Sequence, residues 1–220
     1  MDQINDVVNN NKNSGLRNIM SIRVSADGLC FDNGRKINFE DCRDSDHIRK
    51  FLIEQTSDKD NIKVEFESHK SVIVPKEIYD PGLIKSYFRL SSLDINEVQE
   101  KIIPVAIGDL MVIFSVDKNI YETFFVSLGN KAEFGCVLSE VCLKAMNTSG
   151  NMILDFSGDD ICLATAENGK IIYADCLALK DCSFITGHLK LVFTSLGKTY
   201  PILLQGDVND ERLNYVRDYL

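Results

Sequence analysis

Tryptophan is absent from this 220-residue chain, proline occurs four times and histidine three times. So few prolines leave long stretches free to form uninterrupted elements. The three histidines, His47, His69 and His188, match no H-x-x-x-H or H-E-x-x-H spacing, so a zinc-hydrolase motif is excluded and cap, turn or surface roles are expected. No G-x-S-x-G elbow is present, which leaves serine hydrolysis without support. No apolar run approaches the roughly 20 residues that a spanning helix needs. The opening MDQINDVVNNNKNSG lacks the basic start and apolar centre of a signal peptide. A cytoplasmic location without membrane insertion is therefore expected.

Positive charge is also in short supply. Lys and Arg number 24 against 33 Asp and Glu, a net charge of −9 that repels phosphate backbones, so no nucleic-acid partner is expected. The seven cysteines form no C-x-x-C, are odd in number and sit mostly among apolar neighbours. That pattern fits small buried side chains rather than a disulfide framework or a metal site.

What is present is a globular composition, 45% hydrophobic and 26% charged. Its organising stretch is Asn151 to Leu177, three consecutive strands turned at Ser157-Gly158-Asp159 and at Glu167-Asn168-Gly169. A weaker copy lies at Ser21 to Asp41. Ser25-Ala26-Asp27-Gly28-Leu29-Cys30-Phe31 matches Ser157-Gly158-Asp159-Asp160-Ile161-Cys162-Leu163, and Asn33-Gly34 matches Asn168-Gly169. An Asn-Gly turn between alternating apolar runs signals a hairpin in which both turn residues take positive φ.

Residues 1–17 read as a polar tail, followed by strands at 18–25, 29–32 and 35–40 and a helix from about 44 to 55. Strand 62–66 alternates, with 71–74 as its expected partner, and a helix begins at Pro81. A hairpin spans 102–107 and 110–116, turned by Gly108-Asp109; helix 118–128, strand 132–137 and helix 138–146 follow. After the organising stretch come helix 181–196, strand 200–205 and helix 208–219. The expected fold is α/β with mixed sheets, in two lobes: 18–115 and 116–220. The alternative is one α+β domain whose hairpins merely look alike.

Three meandering strands followed by helix, strand and helix, twice over, resemble the actin-like ATPase (ribonuclease H-like) fold of actin, Hsp70 and sugar kinases. The chain resembles more closely a bacterial family of cytoplasmic proteins of unknown function with a degenerate form of that fold. The resemblance covers residues 18–220 and rests on Ser21 to Leu29, Val72 to Pro75 and Leu203-Leu204-Gln205-Gly206-Asp207. In active members of the superfamily, two small-residue turns hold the nucleotide phosphates and a later Gly-Gly turn holds the adenosine. The resemblance maps the first turn onto Ser25, Asp27 and Gly28, the second onto Asp155, Ser157 and Gly158, and the third onto Gly206.

The departures are chemical. Ser25 falls in an Asp place and Asp27 in a Gly place, Ser157, Asp159 and Asp160 replace other residues of the second turn, and Gln205 precedes Gly206. A carboxylate about 4 Å from a phosphate oxygen costs roughly 4 kcal/mol at an effective dielectric near 20. The family implies a fold and no activity; the departures point to a degenerate, non-catalytic binding or scaffold module that takes another protein as partner and needs no cofactor. The alternative is an ATPase or phosphotransferase using ATP and magnesium between the lobes.

Other candidates have simpler readings. Gly197-Lys198-Thr199 looks like a P-loop tail, but Val192 stands where that motif needs Gly and a helix precedes it, so a helix C-cap is expected. Asp159-Asp160 suits a turn. The acidic run Asp207 to Glu211 suits the start of the last helix.

Overall fold

The computed structural model describes residues 19–39, 45–156, 160–178, 182–206 and 215–216. The tail 1–17, the turn at 157–159 and most of the expected helix 208–219 lie outside the described residues.

The elements alternate in the order β1 (Ile19–Val24), β2 (Gly28–Phe31), β3 (Lys36–Asn38), α1 (Ser45–Thr56), β4 (Asn61–Phe66), β5 (Ser71–Pro75), α2 (Ile84–Leu90), β6 (Glu100–Ile107) and β7 (Leu110–Asp117). There follow α3 (Lys118–Leu128), β8 (Ala132–Cys136), α4 (Val137–Asn147), β9 (Met152–Phe156), β10 (Asp160–Glu167), β11 (Lys170–Ala178), α5 (Cys182–Leu196) and β12 (Ile202–Gly206). They make three sheets, ordered β3-β2-β1-β4-β8, β11-β10-β9-β12 and β5-β7-β6.

The first two sheets share a plan. β1 is antiparallel to β2 and parallel to β4; β9 is antiparallel to β10 and parallel to β12. The alternation of the sequence sorts the second sheet cleanly, because successive side chains point to opposite faces. Met152, Leu154, Phe156, Ile161 and Leu163 pack against Ile185, Leu189 and Val192 of α5. Ile153, Cys162 and Ala164 face the other way and join one core with the first sheet, α1, α3 and α4. Helix α4 lies against β9, β10 and β11 and buries Val137, Leu138, Val141, Cys142 and Ala145. Each buried Val or Leu among them stabilises by roughly 1.5–3 kcal/mol.

Pairing corrects three expectations. β5 partners β7, not β4. β4 already has parallel neighbours on both edges, β1 and β8, so no edge remains for β5. The strand instead joins the β6–β7 hairpin over its own small core of Val72, Val74, Phe88, Met111 and Ile113. Second, β8 completes the first sheet, so that sheet extends past the expected division at 115/116. Third, Asn168 and Gly169 take φ of +51° and +74°, as a primed hairpin turn requires, whereas at Asn33-Gly34 only Gly34 is positive. There Asn33 Oδ1 accepts from the Arg35 N–H at 3.0 Å and sets a different turn.

Candidate functional site

In open sheets of this type, ligands lie beyond the carboxyl ends of the parallel strands. The penultimate residues of the four relevant strands are Arg23 (β1), Glu65 (β4), Asp155 (β9) and Gln205 (β12). Ladder register pairs Arg23 with Glu65 and Asp155 with Gln205. These four positions define the meeting place of the two sheets.

Arg23 closes it. Its Nη1 lies 3.1 Å from Asp155 Oδ1 and its Nη2 lies 3.2 Å from Oδ2, a two-pronged bond from the first sheet to the second. Asp155 is 3% exposed and Arg23 24%. Glu65 lies 3.7 Å from Arg23, and Lys63 Nζ stands 2.9 Å from Glu65 Oε1 while also bonding Glu140 of α4. Lys144, in the last turn of α4, donates to Gln205 Oε1 at 2.8 Å. The sheets and α4 are thus joined by one charged network.

The charges reinforce one another. Burial works against the Arg23 charge, but Asp155, with Glu65 and Glu67, outweighs it and holds the guanidinium above its ordinary pKa. Burial likewise opposes the Lys63 charge, and Glu140 and Glu65 push its pKa up. Such a pair resists loss of either partner, because the survivor is a buried charge without its counterpart.

Each predicted site residue now has a place. Gly28 N–H donates to Ser25 Oγ at 3.2 Å and Ser25 N–H donates to the Gly28 carbonyl at 2.9 Å, so Ser25 fastens the β1–β2 turn. Asp27 is exposed, and its carbonyl accepts from Phe39 N–H at 2.8 Å. Gly28 answers a packing need: a Cβ there would stand 1.9 Å from the Ile37 carbonyl oxygen of β3. Asp155 belongs to the network, and Gly206 ends β12 opposite Phe156. Ser157 and Gly158 lie outside the described residues.

Arg23 is the residue that sequence reasoning missed. In the ladders Arg23 opposes Cys30 and Asp155 opposes Cys162. The first-sheet counterpart of Asp155 is therefore Arg23, two residues before Ser25. The signal was available: the offset of 132 that aligns Ser25 with Ser157 also aligns Arg23 with Asp155.

Magnesium-bound ATP needs a carboxylate open to the metal and uncharged small turns near phosphate. Both Asp155 oxygens face the Arg23 guanidinium instead. Among the described residues, no group of three His, Cys, Asp or Glu side chains could hold a metal ion.

The remaining candidates resolve into structure. Gly197 has φ +64° and Lys198 N–H reaches the Phe193 carbonyl at 3.2 Å, the geometry of a helix stop rather than a P-loop. His47 is exposed, His69 faces Asp160 at 3.7 Å, and His188 Nε2 lies 2.8 Å from the Tyr173 hydroxyl. Cys136, Cys142, Cys162 and Cys176 are buried. Among the described residues, no helix is long and apolar enough to cross a membrane.

A family model described as a protein of unknown function (DUF3822) matches residues 52–183, and the chain belongs to that family. No curated protein matches it in sequence. A protein of unknown function with an actin-like ATPase fold from Bacteroides thetaiotaomicron superposes with a TM-score of 0.67 at 15% identity, over 91% of this chain and 86% of that one. The cytoplasmic domain of EpsL, an inner membrane component of the type II secretion system of Vibrio cholerae, superposes with a TM-score of 0.52 at 10% identity, over 87% and 83%. The fold is that of the actin-like ATPases.

Proposed function

We propose that this DUF3822 protein is a cytoplasmic, non-catalytic actin-fold module, built on a duplicated unit, whose role is to bind another protein as part of a scaffold. The observation that carries this reading is the two-pronged Arg23–Asp155 bond, which occupies the carboxylate that an ATPase of this fold would turn toward metal and phosphate. The Vibrio cholerae neighbour supplies a precedent for the fold in a component of a secretion system.

A thermal-shift titration tests the reading. ATP with magnesium at millimolar concentration leaves the melting temperature unchanged. A ligand at ten times its dissociation constant would stabilise by about 1.4 kcal/mol, roughly 3 °C for a chain of this size. Such a rise, abolished by Asp155→Ala, would establish an ATPase or phosphotransferase reading instead. A rise gained only in the double variant Asp27→Gly, Asp159→Gly would show a nucleotide site closed by those two carboxylates.

A further inference from the structure

A cleft of about 580 Å³ separates the second sheet from the small third sheet, and its two long walls are both edge strands. One wall is Ala174 to Ala178 of β11; the other is Ser71 to Ile73 of β5, with Phe184 and Leu93 at its rim. This place is separate from the Arg23–Asp155 network.

The backbone directions on these walls follow from the ladders. In an antiparallel pair, alternate residues point their N–H and C=O to the partner strand and the residues between point away. The Lys70 carbonyl accepts from Ser115 N–H at 3.1 Å and Lys76 N–H donates to the Asp109 carbonyl at 2.8 Å, which directs the even-numbered residues of β5 toward β7. Ser71 and Ile73 therefore point their amide groups into the cleft. On β11, Cys176 N–H donates to the Asp175 side chain at 2.9 Å rather than to β10. Ala174 and Ala178 share its direction. The β11 wall thus presents a row of peptide groups over roughly 14 Å, at about 3.4 Å per residue.

Asp175 guards that row. Its Oδ1 holds the Cys176 N–H and its Oδ2 lies 3.2 Å from the Tyr173 hydroxyl. Charged groups on an exposed edge discourage indiscriminate strand pairing. A strand that bonded Cys176 would displace the Asp175 carboxylate, which has His188 Nε2 at 3.9 Å beside it, and a lysine or arginine would supply the displaced charge with a permanent cation. Asp160 adds a second carboxylate beside His69, and among the described residues no Lys or Arg lines the cleft.

We infer that this cleft takes one extended segment of a partner protein, added as a strand to the open edge of β11, with a lysine or arginine placed against Asp175. Main-chain bonds supply the affinity and the basic side chain supplies the selectivity. The inference deepens the binding-module reading, and its test reads peptide capture at β11 rather than nucleotide binding, so the two experiments fail separately.

The test uses the full chain and fluorescently labelled ten-residue peptides of alternating Val and Thr, with a central Lys, Gln or Glu, read by anisotropy. The Lys peptide binds, the Glu peptide binds at least about tenfold more weakly, and N-methylation of alternate amides in the Lys peptide abolishes binding. Ala174→Pro, which removes an outward N–H that β10 does not use, abolishes binding without changing the circular dichroism spectrum. Asp175→Ala brings the Lys and Glu peptides to equal affinity. The inference is overturned by any of three results: no peptide binds, N-methylation has no effect, or sedimentation shows a dimer that Ala174→Pro dissociates, which would make a second copy the occupant.

Discussion

The ends of β1 and β9 occupy the same position in two sheets of the same plan, yet one carries Arg23 and the other Asp155. Their neighbours differ in kind as well: Glu65 stands beside the arginine and Gln205 beside the aspartate. Two sheets of like strand order hold opposite charges that satisfy each other. The difference teaches that backbone plan and chemistry vary independently, since a fold persists through its pairing and core while a site depends on single side chains.

The largest expected effect comes from breaking that opposition. Arg23→Ala leaves Asp155 buried without its cation and lowers stability by about 3–5 kcal/mol in chemical denaturation. Arg23→Asp is worse, and the exchange Arg23→Asp with Asp155→Arg recovers part of the loss. A cost below about 1 kcal/mol for Arg23→Ala would show that the pair does not join the sheets.

Gly28 sharpens the comparison next. Gly28→Ala drives a Cβ into the Ile37 carbonyl of β3. The expected cost is about 1–3 kcal/mol, read by the same denaturation. Its ladder counterpart, Asp160, already carries a side chain, so Asp160→Ala changes stability much less.

Alkaline titration probes the core that both sheets share. Burial pushes Cys136 and Cys142 from an ordinary value near 9 up to about 12. Above pH 9 the unfolded chain releases these protons while the folded chain keeps them. Stability is therefore full below pH 9 and falls through pH 12, by roughly 1.4 kcal/mol per pH unit for each thiol. Cys142→Ala makes that slope shallower in denaturation series at fixed pH.

The two Asn-Gly turns give the smallest effect. Asn168→Gly is neutral or slightly stabilising, since φ is already positive there, whereas Asn33→Gly loses the bond to Arg35 and costs about 1 kcal/mol. Equal effects at both would mean that the turns are alike after all.

Most elements were legible because their signals are local. Period-two alternation marks β9 and β10, and Gly197 stops α5 where a C-cap glycine should. Pairing partners were less legible. Nothing within Ser71 to Pro75 says that its neighbour is Leu110 to Asp117, and nothing within Ala132 to Cys136 says that it returns to β4. Such choices are made by which edges remain open once the sheet assembles. Arg23 escaped for the same reason: in Ser-Ile-Arg-Val-Ser it occupies the polar face of a strand, and its partner is 132 residues away. The family resemblance drew the eye to turns, whereas the decisive charge sits just before one.

Helix α4 has a consequence for synthesis on the ribosome. It ends at Asn147, and the surface that covers it, β9 to β11, has not yet been made at that moment. A chain of that length has the sequence for all five strands of the first sheet, but its last helix lacks the β9–β11 surface on which it packs in the finished protein. Such a helix is a target for chaperones and a route to aggregation until the remaining third of the chain emerges. Truncation near residue 147 should yield insoluble protein, and late translation stalls should be more harmful than early ones.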